Sequence, residues 1–215
     1  MQKAVLFDFD GVVVRSEDIH METFLELLRP YGVSVSRERW YREFSGTGSK
    51  HIFEVLVKEF SVPQDVDSLV ARRKGMYEKR VRKGELEETP GVRGFLETLR
   101  KDGIKTAIVS GSHRTNVKAA LDMLDLGGYF DVIVSGDDIR ERKPDPGPFL
   151  QAAKLLLVRP EDCIAIEDSA PGAEAVRRAG MKLVVVESPA LPNIGRYDLL
   201  IKDFQDRSIY SLIRS

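Results

Sequence analysis

The sequence predicts an α/β fold: a doubly wound parallel sheet covered by helices on both faces, broken after its first strand by an all-helical insert. Three observations carry this expectation. Short runs rich in Val, Ile and Leu lack polar alternation, as strands buried on both faces do. From about residue 89 onward these runs alternate with stretches of helical spacing, the pattern of parallel strands joined by crossover helices. Between Asp10 and Thr106, only helical spacing of comparable strength appears.

The first run, 4–7, ends in Asp8-Phe9-Asp10-Gly11, and Gly11 lets the backbone turn sharply beside two carboxylates. Further strands are expected at 106–109, 132–134, 164–166 and 183–186. Between them, Val92, Phe95, Leu96 and Leu99 recur at helical spacing and stop at Gly103, while Val117, Ala120, Leu121 and Leu124 stop at Gly127. Helices over 148–157 and 171–179 open on Pro148 and Pro171, where the missing N–H costs nothing. In the insert, apolar positions such as Ile19, Phe24, Leu27 and Leu28 predict a helix over 16–31. Ile52, Phe53, Leu56 and Phe60 predict another over 49–60, and a third is expected over 65–81. The expected division is therefore a core of residues 1–13 and 87–215 with a helical cap of 14–86, the chain returning through Thr89-Pro90-Gly91.

Composition narrows the function classes. The 215 residues are 42% hydrophobic and 31% charged, enough for one large core with a smaller insert. Formal net charge is −1, so no global basic field recruits nucleic acid or an anionic membrane, and neither partner is expected. The clusters Arg72-Arg73-Lys74 and 79–83 are interleaved with glutamates and read as solvated helix faces. A lone Cys163 cannot form an internal disulfide, which fits a reducing cytoplasm. No signal core, no membrane-length apolar run and no feature of an obligate protein partner is evident, so a cytoplasmic location is expected.

Ligands of open parallel sheets bind outside the carboxyl ends of the strands. Asp8 and Asp10 follow the first run there, Ser110-Gly111-Ser112 the second, Ser135-Gly136-Asp137-Asp138 the third and Glu167-Asp168-Ser169 the fourth, with Lys143-Pro144 in the connection after the third. Two ionised aspartates at a strand end repel each other and lose hydration, so a cation or a reaction is needed to keep them there. Phosphoryl transfer uses this set: Asp8 as nucleophile, Asp10 as acid and then base, a hard divalent cation such as Mg²⁺ between Asp8 and Asp168, Ser110 as donor to a phosphoryl oxygen and Lys143 as charge balance. Ser112 reads as a helix cap. Asp137 and Asp138 read as loop or capping residues in preference to the outer shell of a metal, and His113 as solvent-facing near a helix start.

With these residues in view, the chain resembles the haloacid dehalogenase-like hydrolase superfamily, in the helical-cap branch that holds sugar-phosphate and phosphoglycolate phosphatases and beta-phosphoglucomutase-like proteins. The resemblance spans essentially the whole chain. Asp8-Phe9-Asp10-Gly11 matches the first motif, Ser110 the second, Lys143-Pro144 the third and Glu167-Asp168-Ser169-Ala170-Pro171-Gly172 the fourth. It implies a Rossmann-like core, an aspartyl phosphate on Asp8, and Mg²⁺ held by the Asp8 and Asp168 carboxylates and the Asp10 carbonyl, with Glu167 just behind. Dehalogenases of this fold lack the second aspartate, so Asp10 points to phosphate esters.

Substrate choice is expected to lie with the insert, which would close over the site and exclude water. Candidate substrate-binding residues are Gly11, Gly111, Glu17, His20, Lys50 and Lys74; Glu17 and His20 stand one turn apart on the first insert helix. His20 and Lys74 match positions that beta-phosphoglucomutase-like proteins use in coupling closure to acid-base control. Two departures weigh against a mutase: Ser49, in Gly46-Thr47-Gly48-Ser49-Lys50, stands where mutases carry a phosphate-gripping arginine, and Arg15 stands where the family often has Asp. The expected activity is an Mg²⁺-dependent phosphomonoester hydrolase of a small phosphorylated metabolite. The alternatives are an intramolecular phosphotransferase and, of another class, a non-catalytic phosphorylatable signalling module.

Overall fold

The first apolar run forms the centre of the sheet because nothing in it asks for water. The computed structural model describes residues 2–45, 47–188 and 194–214; Met1, Gly46, 189–193 and Ser215 lie outside the described residues. In chain order the elements are β1 (Ala4–Phe7), β2 (Val14–Arg15), α1 (Glu17–Leu28), α2 (Arg37–Glu43), α3 (Ser49–Glu59), α4 (Val66–Arg82) and β3 (Glu87–Glu88). They continue with α5 (Val92–Lys101), β4 (Lys105–Val109), α6 (Arg114–Met123), β5 (Val132–Val134), α7 (Gly147–Leu156), β6 (Cys163–Glu167), α8 (Ala170–Arg178), β7 (Lys182–Val186), β8 (Leu199–Ile201) and α9 (Ser208–Arg214).

The chain divides into two compact units, Met1–Arg15 with Glu87–Ser215, and Ser16–Leu86. The first holds a six-stranded sheet in the order β5-β4-β1-β6-β7-β8, with every neighbouring pair parallel. All four residues of β1 are fully buried, as a strand covered on both faces must be. Successive side chains take opposite faces. Leu6 joins a cluster with Phe149 of α7 and Ala173 and Val176 of α8, whereas Phe7 meets Phe95 of α5 edge-on at 6.0 Å, and Phe95 meets Tyr210 of α9 at 5.6 Å. Helix starts are fixed locally: Ser169 Oγ accepts from Gly172 N at 3.2 Å, and Asp145 Oδ1 accepts from Gly147 N at 2.7 Å. Strand order reverses at β1, which places its carboxyl end at the crevice that binds ligands in such sheets.

The second unit is all-helical among its described residues and has its own core of Phe24, Trp40, Phe53, Leu56 and Leu69. The Phe24 ring lies 4.6 Å from Phe53 and 5.2 Å from Trp40. Asp65 and Ser36 cap α4 and α2 by accepting from Ser68 N and Arg39 N. Features that differ from the sequence expectation include two helices it did not contain, α2 and α9. Val14–Arg15 pairs antiparallel with Glu87–Glu88, so the helical unit begins at Ser16, two residues later than expected. A sixth strand, β8, also extends the sheet beyond β7. No helix among the described residues is long and apolar enough to cross a membrane.

Candidate active site

The register of the sheet brings the acidic strand ends together. Phe7 stands opposite Ile108 of β4 and Ile166 of β6, so the next residues, Asp8, Val109 and Glu167, emerge at one level. Lys143, from the connection between β5 and α7, touches all three: its Nζ donates to Asp8 Oδ1, to Glu167 Oε1 at 2.6 Å and to the Val109 carbonyl at 3.0 Å. The ammonium also lies 5.0 Å from the centre of the Phe149 ring. All three charged groups are largely withdrawn from solvent, their side chains being 13% (Asp8), 15% (Lys143) and 1% (Glu167) exposed.

One ammonium between two carboxylates leaves a buried negative charge uncompensated. Burial pushes the Asp8 carboxyl up to about 8 against the pull of Lys143, and the nearby Glu167 and Asp10 charges push the same way. For Lys143, burial opposes the charge, yet Asp8 and Glu167 hold its pKa above the ordinary lysine value. The direction for Asp8 follows from the count of charges: Lys143 cannot neutralise Asp8 and Glu167 at once.

Glu167 is fully committed. Its Oε2 accepts from the backbone N–H groups of Asp168 and Ser169, both at 3.0 Å, and from Ser169 Oγ at 2.9 Å, which fixes the start of α8 and the backbone of Asp168. Ser188 Oγ donates to the Asp168 carbonyl at 2.7 Å. The Asp168 carboxylate lies against Gly11, where any Cβ would overlap it, and Gly11 has φ of +83°, a conformation that favours glycine. A residue other than glycine here would push Asp168 away.

These residues fit a hard cation. Asp8 and Asp168 could supply carboxylate oxygens and Asp10 a main-chain carbonyl, a sparse oxygen set of the kind Mg²⁺ would take while keeping several waters. No group of three His, Cys, Asp or Glu side chains able to hold a metal occurs among the described residues. A cation would offset the repulsion among the carboxylates crowded at this edge.

The Asp10 carboxylate is held separately. Ser112 Oγ donates to its Oδ2 at 2.7 Å. The helix-cap role expected for Ser112 is therefore corrected: the residue before α6 is His113, which makes no side-chain cap, and the Arg114 N–H is met from across the loop by Asp137 Oδ2 at 2.8 Å. That N–H and then His113 hold the Asp137 carboxyl below its usual range. Asp138 works against its own burial: Ser135, through Oγ and N–H, and Arg114 keep its carboxyl low. Both are loop-bracing residues here. His113 is exposed and contacts Asp137 at 2.7 Å. Ser110 is buried, with its Oγ accepting from Ser112 N at 3.0 Å, and Gly111 is exposed beside it.

Within the helical unit the candidate residues sit as follows. Glu17 Oε1 accepts from the Trp40 indole N–H at 2.6 Å. Lys50 pairs with Asp67 at 2.9 Å on an exposed surface, and Lys74 is exposed. His20 stacks on Tyr77 at 4.6 Å, and its Nδ1 contacts the Arg73 guanidinium. Arg73, read from the sequence as part of a solvated face, is buried instead: it donates to Ser49 Oγ at 2.8 Å and Thr23 Oγ1 at 3.3 Å and lies 4.5 Å over the Phe24 ring. The available signal was its place in the buried i, i+4 row Leu69, Arg73, Tyr77, Val81.

Residues 5–186 match the haloacid dehalogenase-like hydrolase family. The chain belongs to that family. It is 34% identical over 184 residues to a phosphorylated carbohydrates phosphatase of Thermotoga maritima, covering 85% of this chain and 83% of that protein. The structure of CbbY from Rhodobacter sphaeroides in complex with phosphate superposes with a TM-score of 0.84 at 26% identity, covering 96% of each chain. A mutant CbbY in complex with xylulose-(1,5)bisphosphate superposes with a TM-score of 0.84 at 25% identity, again covering 96% of each chain. As a haloacid dehalogenase-like hydrolase of this group, the chain is an enzyme of the phosphatase type.

Proposed function

We propose that this haloacid dehalogenase-like hydrolase cleaves phosphomonoesters of small metabolites through an aspartyl phosphate on Asp8. The observation that carries the reading is the Lys143 bridge: a buried ammonium joins Asp8 to Glu167 at the carboxyl edge of the sheet, beside Asp168 and Asp10. An Asp8 oxygen attacks phosphorus, and the bond from phosphorus to the ester oxygen breaks. Asp10, as its acid, gives the departing oxygen a proton. Asp10 then takes a proton from water as that water displaces Asp8 from phosphorus. Ser110 and Lys143 meet phosphoryl oxygens, and Glu167 keeps Lys143 and the Asp168 backbone in place. Bound Mg²⁺ would supply positive charge to the phosphoryl oxygens and to Asp8, making the carboxylate the prevailing form.

The likeness to a phosphatase of phosphorylated carbohydrates and to CbbY in complex with a sugar bisphosphate supports a phosphorylated sugar as substrate. Glu17, His20, Lys50 and Lys74 are the proposed substrate-selecting residues of the helical unit. A panel of phosphorylated sugars, phosphoglycolate and glycerol phosphate, assayed with Mg²⁺ and with EDTA, tests the reading. Turnover that needs Mg²⁺, and that Asp8→Asn reduces to background while its circular dichroism is unchanged, is the expected result. Full turnover after chelation, or in folded Asp8→Asn protein, contradicts it.

A further inference from the structure

We infer that Ser112 is a positioning residue for the acid-base carboxylate: its hydroxyl, donated to Asp10 Oδ2 at 2.7 Å, sets which oxygen of Asp10 exchanges a proton with the substrate. This rests on the proposed role of Asp10 and adds to it a residue from another strand end.

A serine hydroxyl can donate to the same carboxyl oxygen in both protonation states of the acid. With Ser112 donating in the acid form, Oδ2 is the carbonyl-like oxygen and the proton resides on Oδ1. As the ester bond breaks, this proton passes from Oδ1 to the leaving oxygen, while the Ser112 hydrogen stays on Oγ throughout. Ser112 loses and gains nothing in the step, and its contribution is to hold one carboxyl oxygen of Asp10 in a set direction.

Ser112 is itself held at main-chain atoms. Its N–H donates to Ser110 Oγ at 3.0 Å, and its carbonyl accepts from Gly136 N at 2.9 Å, tying the loop after β4 to the loop after β5. The two loops pack so closely that a Cβ on Gly136 would overlap the Gly111 carbonyl and lie 3.3 Å from the Ser112 carbonyl oxygen. The link from β5 through Ser112 to Asp10 therefore lies wholly within the sheet unit and uses neighbouring strand ends.

The test compares Ser112→Ala and Ser112→Thr on the alkyl phosphate of the panel that wild type turns over fastest, whose alkoxide needs a proton to leave, and on p-nitrophenyl phosphate, whose phenolate leaves without one. Ser112→Ala is expected to lower kcat for the alkyl ester about tenfold or more, part of the usual contribution of a general acid. Its KM and the initial release of p-nitrophenol should change less than about twofold, the size expected when ground-state binding is untouched. Ser112→Thr, which keeps the donor, should restore the alkyl activity. Equal losses on both esters, a change confined to KM, or no rescue by threonine in folded protein would overturn the role of Ser112 alone. A wild-type chain without turnover on p-nitrophenyl phosphate and on every alkyl ester of the panel would overturn the phosphatase reading and this inference with it.

Discussion

Asp8, Lys143 and Glu167 form a set whose charge does not balance, and stability should record it. In Mg²⁺-free protein the buried Asp8 keeps its proton up to about 8, whereas an unfolded chain releases it near 3.8. Between these values the folded state binds more protons than the unfolded one, so stability falls as pH rises through this window. Thermal melts in EDTA should show wild type losing Tm relative to Asp8→Asn from pH 4 to 8. Added Mg²⁺ should flatten that difference by favouring the ionised form. A difference independent of pH would contradict the charge count. At this scale the sequence displays the participants but not their pairings. Asp8, Asp10 and Asp168 stand out in the sequence because charged residues follow apolar runs, and Lys143 because it lies in the connection after one. Ser112 does not, since a serine before a helix has the local look of a cap and its Asp10 partner lies 102 positions away in the chain.

Helices and strands were legible where apolar residues repeat, and hidden where polar residues dominate. β1, β4 and β6 announce themselves as continuous runs. By contrast, α2 has the sequence Arg-Glu-Arg-Trp-Tyr-Arg-Glu and buries only Trp40, so its periodicity is a single point. β8 is a three-residue edge strand, and β2 and β3 have two residues each, too short for any pattern. On α4, the run Arg72-Arg73-Lys74 masks one inward arginine, whose guanidinium meets Thr23, Ser49 and His20 in the helical unit. Because a guanidinium only donates, a hydrogen bond from Arg73 requires His20 Nδ1 as acceptor, and a neutral ring making it carries its proton on Nε2. Nitrogen chemical shifts of His20 should report this tautomer in wild type. Arg73→Lys, lacking the planar fork, should lose stability by about 1 to 3 kcal/mol in urea unfolding. A His20 ring protonated on Nδ1 in wild type would contradict the assignment.

At the scale of the whole molecule, the strand order β5-β4-β1-β6-β7-β8 explains why distant segments make one site. The order reverses at β1, so the chain ends of β1, β4 and β6 share one crevice, and Lys143 reaches it from the connection after β5. This convergence could be anticipated from the sequence because the motif residues follow the apolar runs in order. The level alignment of Asp8, Val109 and Glu167 could not, because register is set by the packing of both sheet faces. In the proposed reaction Asp8 becomes covalently phosphorylated. This step is tested most directly by mixing Asp10→Asn protein, slow in water attack, with p-nitrophenyl phosphate and Mg²⁺, quenching in acid, and mapping the phosphoryl group by mass spectrometry. A stoichiometric burst of p-nitrophenol with the phosphoryl group on Asp8 is the predicted result. Continued release of p-nitrophenol with Asp8 unmodified at every quench time would contradict it.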